Sequence, residues 1–144
     1  MMAKHPQRPL PNANNEPPAR ATPLNAKQVR KALLSFRAGT APGPSGLCAE
    51  HLKSALKAPS PARGEGFLHA LTKFCNVMAS GKIPRSVAPF FFGGSLFAAI
   101  KKDSGHRPIA VGEVYRRLIS IGLAFEAASK AADLLSPVQV GVGV

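Results

Sequence analysis

The sequence predicts an α+β fold that is rich in helix, with about four helices and one β-hairpin behind a disordered tail. Three observations support this prediction. Apolar residues recur at helical spacing in several segments. Two short apolar runs flank a polar turn that contains glycine, which is typical of a hairpin. Prolines are concentrated near the N-terminus. A length of 144 residues allows one domain at most.

The first 23 residues hold six of the fourteen prolines, mixed with Asn, Arg and Lys. A segment of this composition cannot bury enough apolar surface to fold. We therefore expect residues 1–23 to form a disordered, basic, Pro-rich tail and residues 24–144 to form the folded region.

The overall charge is strongly positive, with 19 Lys and Arg against 7 Asp and Glu, which gives a formal net charge of +12. A balance of this sign favours a polyanionic partner, and nucleic acid is the usual one. A basic protein that has no such partner is the alternative.

A capping box predicts the start of the first helix, because the side chains of Asn25 and Gln28 can each accept a hydrogen bond from the other's backbone. We expect Gly39 to end this helix. The apolar positions that predict its buried face are Val29, Ala32, Leu33 and Phe36.

The segment GTAPGPSGL, residues 39–47, predicts a rigid, turning loop. It is not a phosphate-binding P-loop, because it has no Gly-Lys-Ser/Thr ending and its prolines remove backbone donors. We expect Ser45 to cap a second helix over residues 48–56. The inward positions predicted for that helix are Leu52, Ala55 and Leu56.

A third helix is predicted over residues 66–80, with Gly81 as its C-terminal cap and Pro84 soon after. Residues 85–92 are ambiguous, and one interpretation is a short helical turn that leads into a strand. The apolar stripe expected to pack in the core is Phe67, Leu71, Phe74, Val77 and Met78.

The hairpin is predicted to have strands over 95–101 and 107–111, joined by the polar loop 102–106. A long helix should follow over 113–135, with Glu113 favourably placed in its first turn. We expect Arg116, Arg117 and Lys130 to be solvated. The predicted buried face is Val114, Leu118, Ile121, Phe125, Ala128 and Ala132.

The hairpin tip is the best candidate for a chemical site. We expect Lys101 and Arg107 to lie across the loop from each other, close enough to share one anionic ligand. Arg offers a planar fork of donors that matches phosphate oxygens, and Lys adds a mobile point charge. The alternative is an exposed loop that is basic only for solubility.

Other kinds of site have little support. Cys48 and Cys75 lie in apolar helical contexts with no C-x-x-C spacing, which predicts buried free thiols in a reducing compartment. The histidines are scattered, so no metal site is expected. No apolar run reaches the roughly 18 residues of a membrane span, and no secretory signal is present, so we expect an intracellular protein, nuclear or cytoplasmic.

Four motifs follow one another along the predicted folded region, beginning with SFRAGTAPGPSGLCAEHLK (35–53) and NVMASGKIPRSV (76–87). With the two given next, they resemble, in order, the N-terminal part of a reverse transcriptase from a non-LTR retrotransposon. The first is similar to the family's early Gly-Pro-Asp-Gly block and the second to its next block. FFFGGSLFAAIKKDSGHRPIAVGEVYRRL (90–118) resembles the fingers hairpin and its following helix. LSPVQVGVGV (135–144) resembles the block that precedes the palm. The resemblance covers nearly all of residues 24–144, and it implies the fingers subdomain of a right-hand RNA-directed DNA polymerase.

The resemblance implies roles for individual residues. Lys101, Lys102 and Arg107 match positions that contact the triphosphate of the incoming nucleotide. Arg116 and Arg117 could meet the template backbone, with solvation on the helix surface as the equal alternative. Ser45 stands where the family has Asp, so any role of that carboxylate is lost here.

Catalytic residues are not expected. The family's chemistry needs two divalent metal ions held by palm aspartates. Neither Asp103 nor Asp133 matches such a position. We therefore expect a fragment that stops before the palm motifs and is inactive alone, with two Mg²⁺ ions required only in a full-length polymerase.

The implied partners are RNA or an RNA–DNA hybrid, a nucleotide triphosphate, and the palm region of a full-length protein. A small basic helical module that binds another protein, or a non-functional translated remnant of an element, is the alternative.

Overall fold

The computed structural model describes residues 22–102 and 105–135, so the expected disordered tail over 1–23 and the block over 135–144 lie almost entirely outside the described residues. The predicted α+β class is confirmed, with five helices in the described part where about four were expected. The elements are α1 (Ala26–Leu34), α2 (Ala49–Leu56), α3 (Pro61–Ala79), α4 (Ala88–Phe92), β1 (Gly94–Ile100), β2 (His106–Gly112) and α5 (Val114–Leu135).

The capping box at the start of α1 is confirmed. The Asn25 side chain accepts a hydrogen bond from the Gln28 N–H at 2.9 Å, and the Gln28 side chain accepts one from the Asn25 N–H at 2.8 Å. The helix ends at Leu34 and not at Gly39, because the Ser35 hydroxyl bonds back to the Ala32 carbonyl at 2.8 Å and the chain then turns.

The predicted cap of α2 is wrong. Cys48 occupies the N-cap position of this helix, and Ser45 uses its polar groups elsewhere. Helix α3 is longer than predicted, because it begins at Pro61, whose fixed φ suits the first helical position. Gly81 follows this helix with φ of 70°, as its predicted role requires.

The core is formed by one face each of α1, α2, α3 and α5. Every fully buried Val or Leu side chain there stabilises the fold by about 1.5–3 kcal/mol. Its members are Leu24, Val29, Ala32, Leu33, Phe36, Ala49, Leu52, Leu68, Leu71, Cys75, Met78, Val114, Leu118 and Ile119.

Two predicted core positions are more exposed than expected. Val77 is 48% exposed, because the buried stripe of α3 follows Leu68, Leu71, Cys75 and Met78, and Val77 lies to one side of it. Phe125 of α5 is 39% exposed, and the Lys31 ammonium lies 4.6 Å from the centre of its ring. The side chains of Lys130 and Ala132 lie outside the described residues.

One amide side chain fixes the backbone just before α1. Asn76 of α3 accepts a hydrogen bond from the Leu24 N–H and donates one to the Leu24 carbonyl, both at 2.8 Å. The amide therefore pairs with the backbone as a neighbouring strand would, and it places Leu24 in the core.

Strands β1 and β2 form a two-stranded antiparallel sheet with Gly94 opposite Gly112 and Ile100 opposite His106. The predicted hairpin is confirmed, but the connection between its strands begins one residue earlier than expected, after Ile100, and has the expected length of five residues. His106 belongs to β2, and the Lys101 N–H donates to the Gly105 carbonyl at 2.7 Å. No helix among the described residues is long and apolar enough to cross a membrane.

Candidate functional site

The register of the hairpin decides how its cations are arranged. The sequence predicted that Lys101 and Arg107 lie across the loop from each other. In the structure Arg107 is paired with Ala99, and Lys101 lies two residues further along the chain from that pair. Side chains along a strand alternate between faces, and Lys101 follows Ala99 by two residues. Lys101 and Arg107 therefore project on the same face as diagonal neighbours, at a separation that long side chains bridge.

The three predicted triphosphate-binding residues line one shallow, open cavity at the tip. Its volume is about 480 Å³, and all three cationic side chains are exposed. No carboxylate is among its described lining residues, which are Ala99, Ile100, Lys101, Lys102, Arg107 and Ile109. The structure brings the predicted cations together at a surface that suits a polyphosphate, whose charge would be shared among several donors. Their role stays a prediction.

The predicted template-binding residues are Arg116 and Arg117 of α5. Both side chains are hydrogen-bonded to backbone carbonyl groups outside that helix. The Arg116 Nη1 donates to the Phe92 carbonyl at 2.9 Å, and the Arg117 Nη2 donates to the Ala41 carbonyl at 2.7 Å. Arg117 is half-buried, with its guanidinium carbon 5.7 Å from the centre of the Phe36 ring. The expectation that Arg117 is solvated is wrong, and its template role stays a prediction.

No protein-family model, curated protein or solved structure matches this chain.

Sequence reasoning missed the most deeply buried acid of the described residues. Glu113 is 2% exposed and lies just before α5, where its carboxylate accepts hydrogen bonds from the Ser45 N–H at 2.7 Å and the Ser45 hydroxyl at 2.8 Å. This contact ties the loop 39–47 to the base of the hairpin, and Gly43 packs against the same backbone. A helix-terminal Glu is an ordinary surface feature, so no local signal distinguishes it.

The part of the chain that the structure describes has no cluster of side chains that could bind a metal ion. No three His, Cys, Asp or Glu side chains there come together to hold an ion. Asp103 and the Asp133 side chain lie outside the described residues. The two Mg²⁺ ions were expected only in a full-length polymerase, and that expectation stays a prediction.

Cys75 is not placed as a nucleophile. Both thiols are free, Cys75 is buried, and Cys48 is half-buried. Burial raises the pKa of Cys75 to about 11, so its thiol stays protonated and unreactive near neutral pH. Burial also raises the pKa of Tyr115, with smaller effects in the same direction from Cys75 and Glu113.

Proposed function

We propose that this chain is the fingers region of a retrotransposon-type reverse transcriptase, and that its hairpin tip contacts the triphosphate of an incoming nucleotide. The observation that carries the proposal is the shared cavity of Lys101, Lys102 and Arg107. Three cations around one open surface suit a ligand that carries several negative charges in a row.

Two further features support the proposal. The cations stand at the residue positions that the family's motifs predict, and the motifs occur in the family's order. The net charge of +12 favours a nucleic-acid partner, here RNA or an RNA–DNA hybrid. Polymerisation is not proposed for these 144 residues, because neither Asp103 nor Asp133 matches a catalytic position.

The test compares Arg107→Ala with Arg63→Ala, an exposed charge of α3 that serves as a matched control. Filter binding of an RNA–DNA hybrid is measured over a salt series, and binding of a deoxynucleotide triphosphate is measured in parallel. We expect hybrid binding to weaken as salt rises, because phosphate contacts release counterions. Arg107→Ala should weaken triphosphate binding more than hybrid binding, and Arg63→Ala should have little effect on either.

Two results would contradict the proposal. One is absent or salt-independent binding of the hybrid. The other is an equal loss of triphosphate and hybrid binding in Arg107→Ala, since that residue would then act as a general positive charge.

A protein-interaction module is the second candidate, and one observation favours it. Large apolar side chains are exposed beside and along the hairpin, with Phe90 and Leu96 both 73% and Ile100 80% exposed. Exposed apolar surface of this kind often marks an interface. Analytical ultracentrifugation tests this candidate: self-association would favour it, and a monomer with a cooperative thermal transition would argue against it.

A further inference from the structure

The two outer edges of the hairpin differ in how they can pair with a further strand. The Lys101 N–H donates to the Gly105 carbonyl at 2.7 Å, and the register runs without interruption to Gly94 opposite Gly112. In an antiparallel pair, residues that exchange hydrogen bonds alternate with residues whose backbone groups point away from the partner strand. The outward-pointing residues are Gly94, Leu96, Ala98 and Ile100 of β1 and His106, Pro108, Ala110 and Gly112 of β2.

The outer edge of β2 is protected against further pairing. Pro108 occupies one of its outward-pointing positions and has no backbone N–H to donate. His106 and Arg107 add exposed polar side chains to the same strand. Natural sheets use proline and charge to prevent pairing at an edge, so β2 is a poor surface for a further strand.

The outer edge of β1 has no such protection. Its sequence, GSLFAAI, contains neither proline nor charge, and among the described elements it packs closely only against β2. The side chains of Leu96, Phe97 and Ile100 are all exposed. A row of backbone donors and acceptors beside exposed apolar side chains is a template for the addition of another strand.

We infer that two copies of this chain pair through their β1 strands about a two-fold axis at Phe97. The product is a four-stranded antiparallel sheet in the order β2–β1–β1–β2. This inference names a partner for the apolar surface that the second candidate function invokes. It does not depend on what the tip cavity binds, because it uses the edge of β1.

The register about this axis satisfies both strands. Phe97 lies opposite the Phe97 of the second copy. Leu96 then faces Ala98, and Gly94 faces Ile100, so that every outward-pointing residue of β1 meets another one. The two phenylalanines form a pair without hydrogen bonds between them, where side chains approach most closely, and cross-strand aromatic pairs stabilise sheets.

The charge pattern favours this arrangement over other approaches of two copies. A net charge of +12 makes most such approaches repulsive. Antiparallel pairing joins two neutral strands and sets the basic tips, with Lys101 and Lys102, at opposite ends of the sheet, roughly 24 Å apart for strands of seven residues. Association stops at the dimer, because both outer edges of the new sheet are β2 and carry Pro108.

Sedimentation equilibrium of the full chain over a range of concentrations tests the inference. Phe97→Lys sets two like charges directly opposite each other at the axis, and Phe97→Glu does the same with the other sign. Val77→Lys, at an exposed apolar position of α3, is the matched control. Circular dichroism and thermal melting show that each variant is folded.

We expect the wild type to dimerise with a Kd on the order of 10 µM, because a single pair of edge strands forms a small interface. Phe97→Lys and Phe97→Glu should each weaken dimerisation about ten-fold, and Val77→Lys should change it by less than about two-fold. An equimolar mixture of Phe97→Lys and Phe97→Glu should dimerise about as tightly as the wild type, because a two-fold axis at this residue sets each Lys opposite a Glu.

Four results would overturn the inference. The first is a wild-type monomer at about 0.5 mM, whether the edge of β1 is then free or covered by another segment of the same chain. The second is association that continues beyond the dimer as concentration rises, since Pro108 should stop it. The third is a mixture of Phe97→Lys and Phe97→Glu that stays monomeric.

The fourth result concerns the tip. Arg107→Ala should dimerise as the wild type does, and a monomeric Arg107→Ala would show that the tip forms the contact and not the edge of β1. Triphosphate binding, measured separately, tests the proposed function, so that each of the two proposals can fail without the other.

Discussion

Ser45 and Glu113 lie 68 residues apart in the chain, yet the Glu113 carboxylate accepts two hydrogen bonds from Ser45, at 2.7 Å from the N–H and 2.8 Å from the hydroxyl. The loop 39–47 is thereby fastened to the residue that joins the hairpin to α5. Because a buried carboxylate is costly unless it is well hydrogen-bonded, this pair stabilises one orientation of the hairpin relative to the helices.

Ser45→Ala should lower the free energy of unfolding by about 1–3 kcal/mol, because it leaves one oxygen of the buried Glu113 carboxylate without its hydroxyl partner. Urea denaturation measures the change. Ser54→Ala, at an exposed position of α2, is the control and should change stability by less than about 0.5 kcal/mol. Equal effects of the two substitutions would show that the Ser45 hydroxyl has no structural role.

Gly43→Ala should be destabilising by about 1–3 kcal/mol, because a Cβ at this position would lie 2.7 Å from the Glu113 Cα and 2.9 Å from the Gly112 carbonyl oxygen. Backbone atoms cannot rotate away as a side chain can. Gly66→Ala in α3 is the control, since its Cβ meets nothing within 4 Å. It should raise stability by up to about 1 kcal/mol through helix propensity. A tolerated Gly43→Ala would contradict the close packing of loop and hairpin.

Alkaline pH should destabilise the fold through Cys75. Its thiol has a pKa of about 11 when folded against a reference value of 9.0, so the unfolded chain loses this proton first. The free energy of unfolding should therefore fall as pH rises from 9 to 11, by on the order of 2 kcal/mol. Tyr115, whose pKa is also raised, acts in the same direction.

Urea denaturation over this pH range isolates the contribution of Cys75. Cys75→Ala should lower stability at pH 8 by leaving a cavity, and it should show a shallower alkaline decline than the wild type. Identical pH slopes in the wild type and Cys75→Ala would rule out the buried thiol as the cause.

The parts of the fold that depend on near neighbours could be predicted from the sequence. The capping box of α1 and the apolar face of Val29, Ala32 and Leu33 are set by residues within two turns, and both are confirmed. The hairpin was predicted from two apolar runs around a glycine-containing turn. Its register was predicted less well, because a shift of the pairing by two residues leaves every side chain on the same face and so gives the same sequence pattern.

What the sequence could not supply are contacts between distant segments. Ser45 looked like a helix cap and Glu113 like a favourable charge at a helix start, and only the packing of the loop on the hairpin joins them. Arg117 looked solvated, yet it reaches the Ala41 carbonyl and the Phe36 ring. Polar side chains of this kind have several local uses, so their distant partners cannot be deduced from spacing.

NMR titration of the isotope-labelled chain with deoxythymidine triphosphate shows whether the hairpin tip binds a nucleotide triphosphate, as we claim. The backbone and side-chain signals of Lys101, Lys102 and Arg107 should shift together and saturate along one binding curve, while those of the exposed Arg63 and Arg85 should stay in place. Shifts spread evenly over all exposed basic residues, or none at the tip, would contradict the claim.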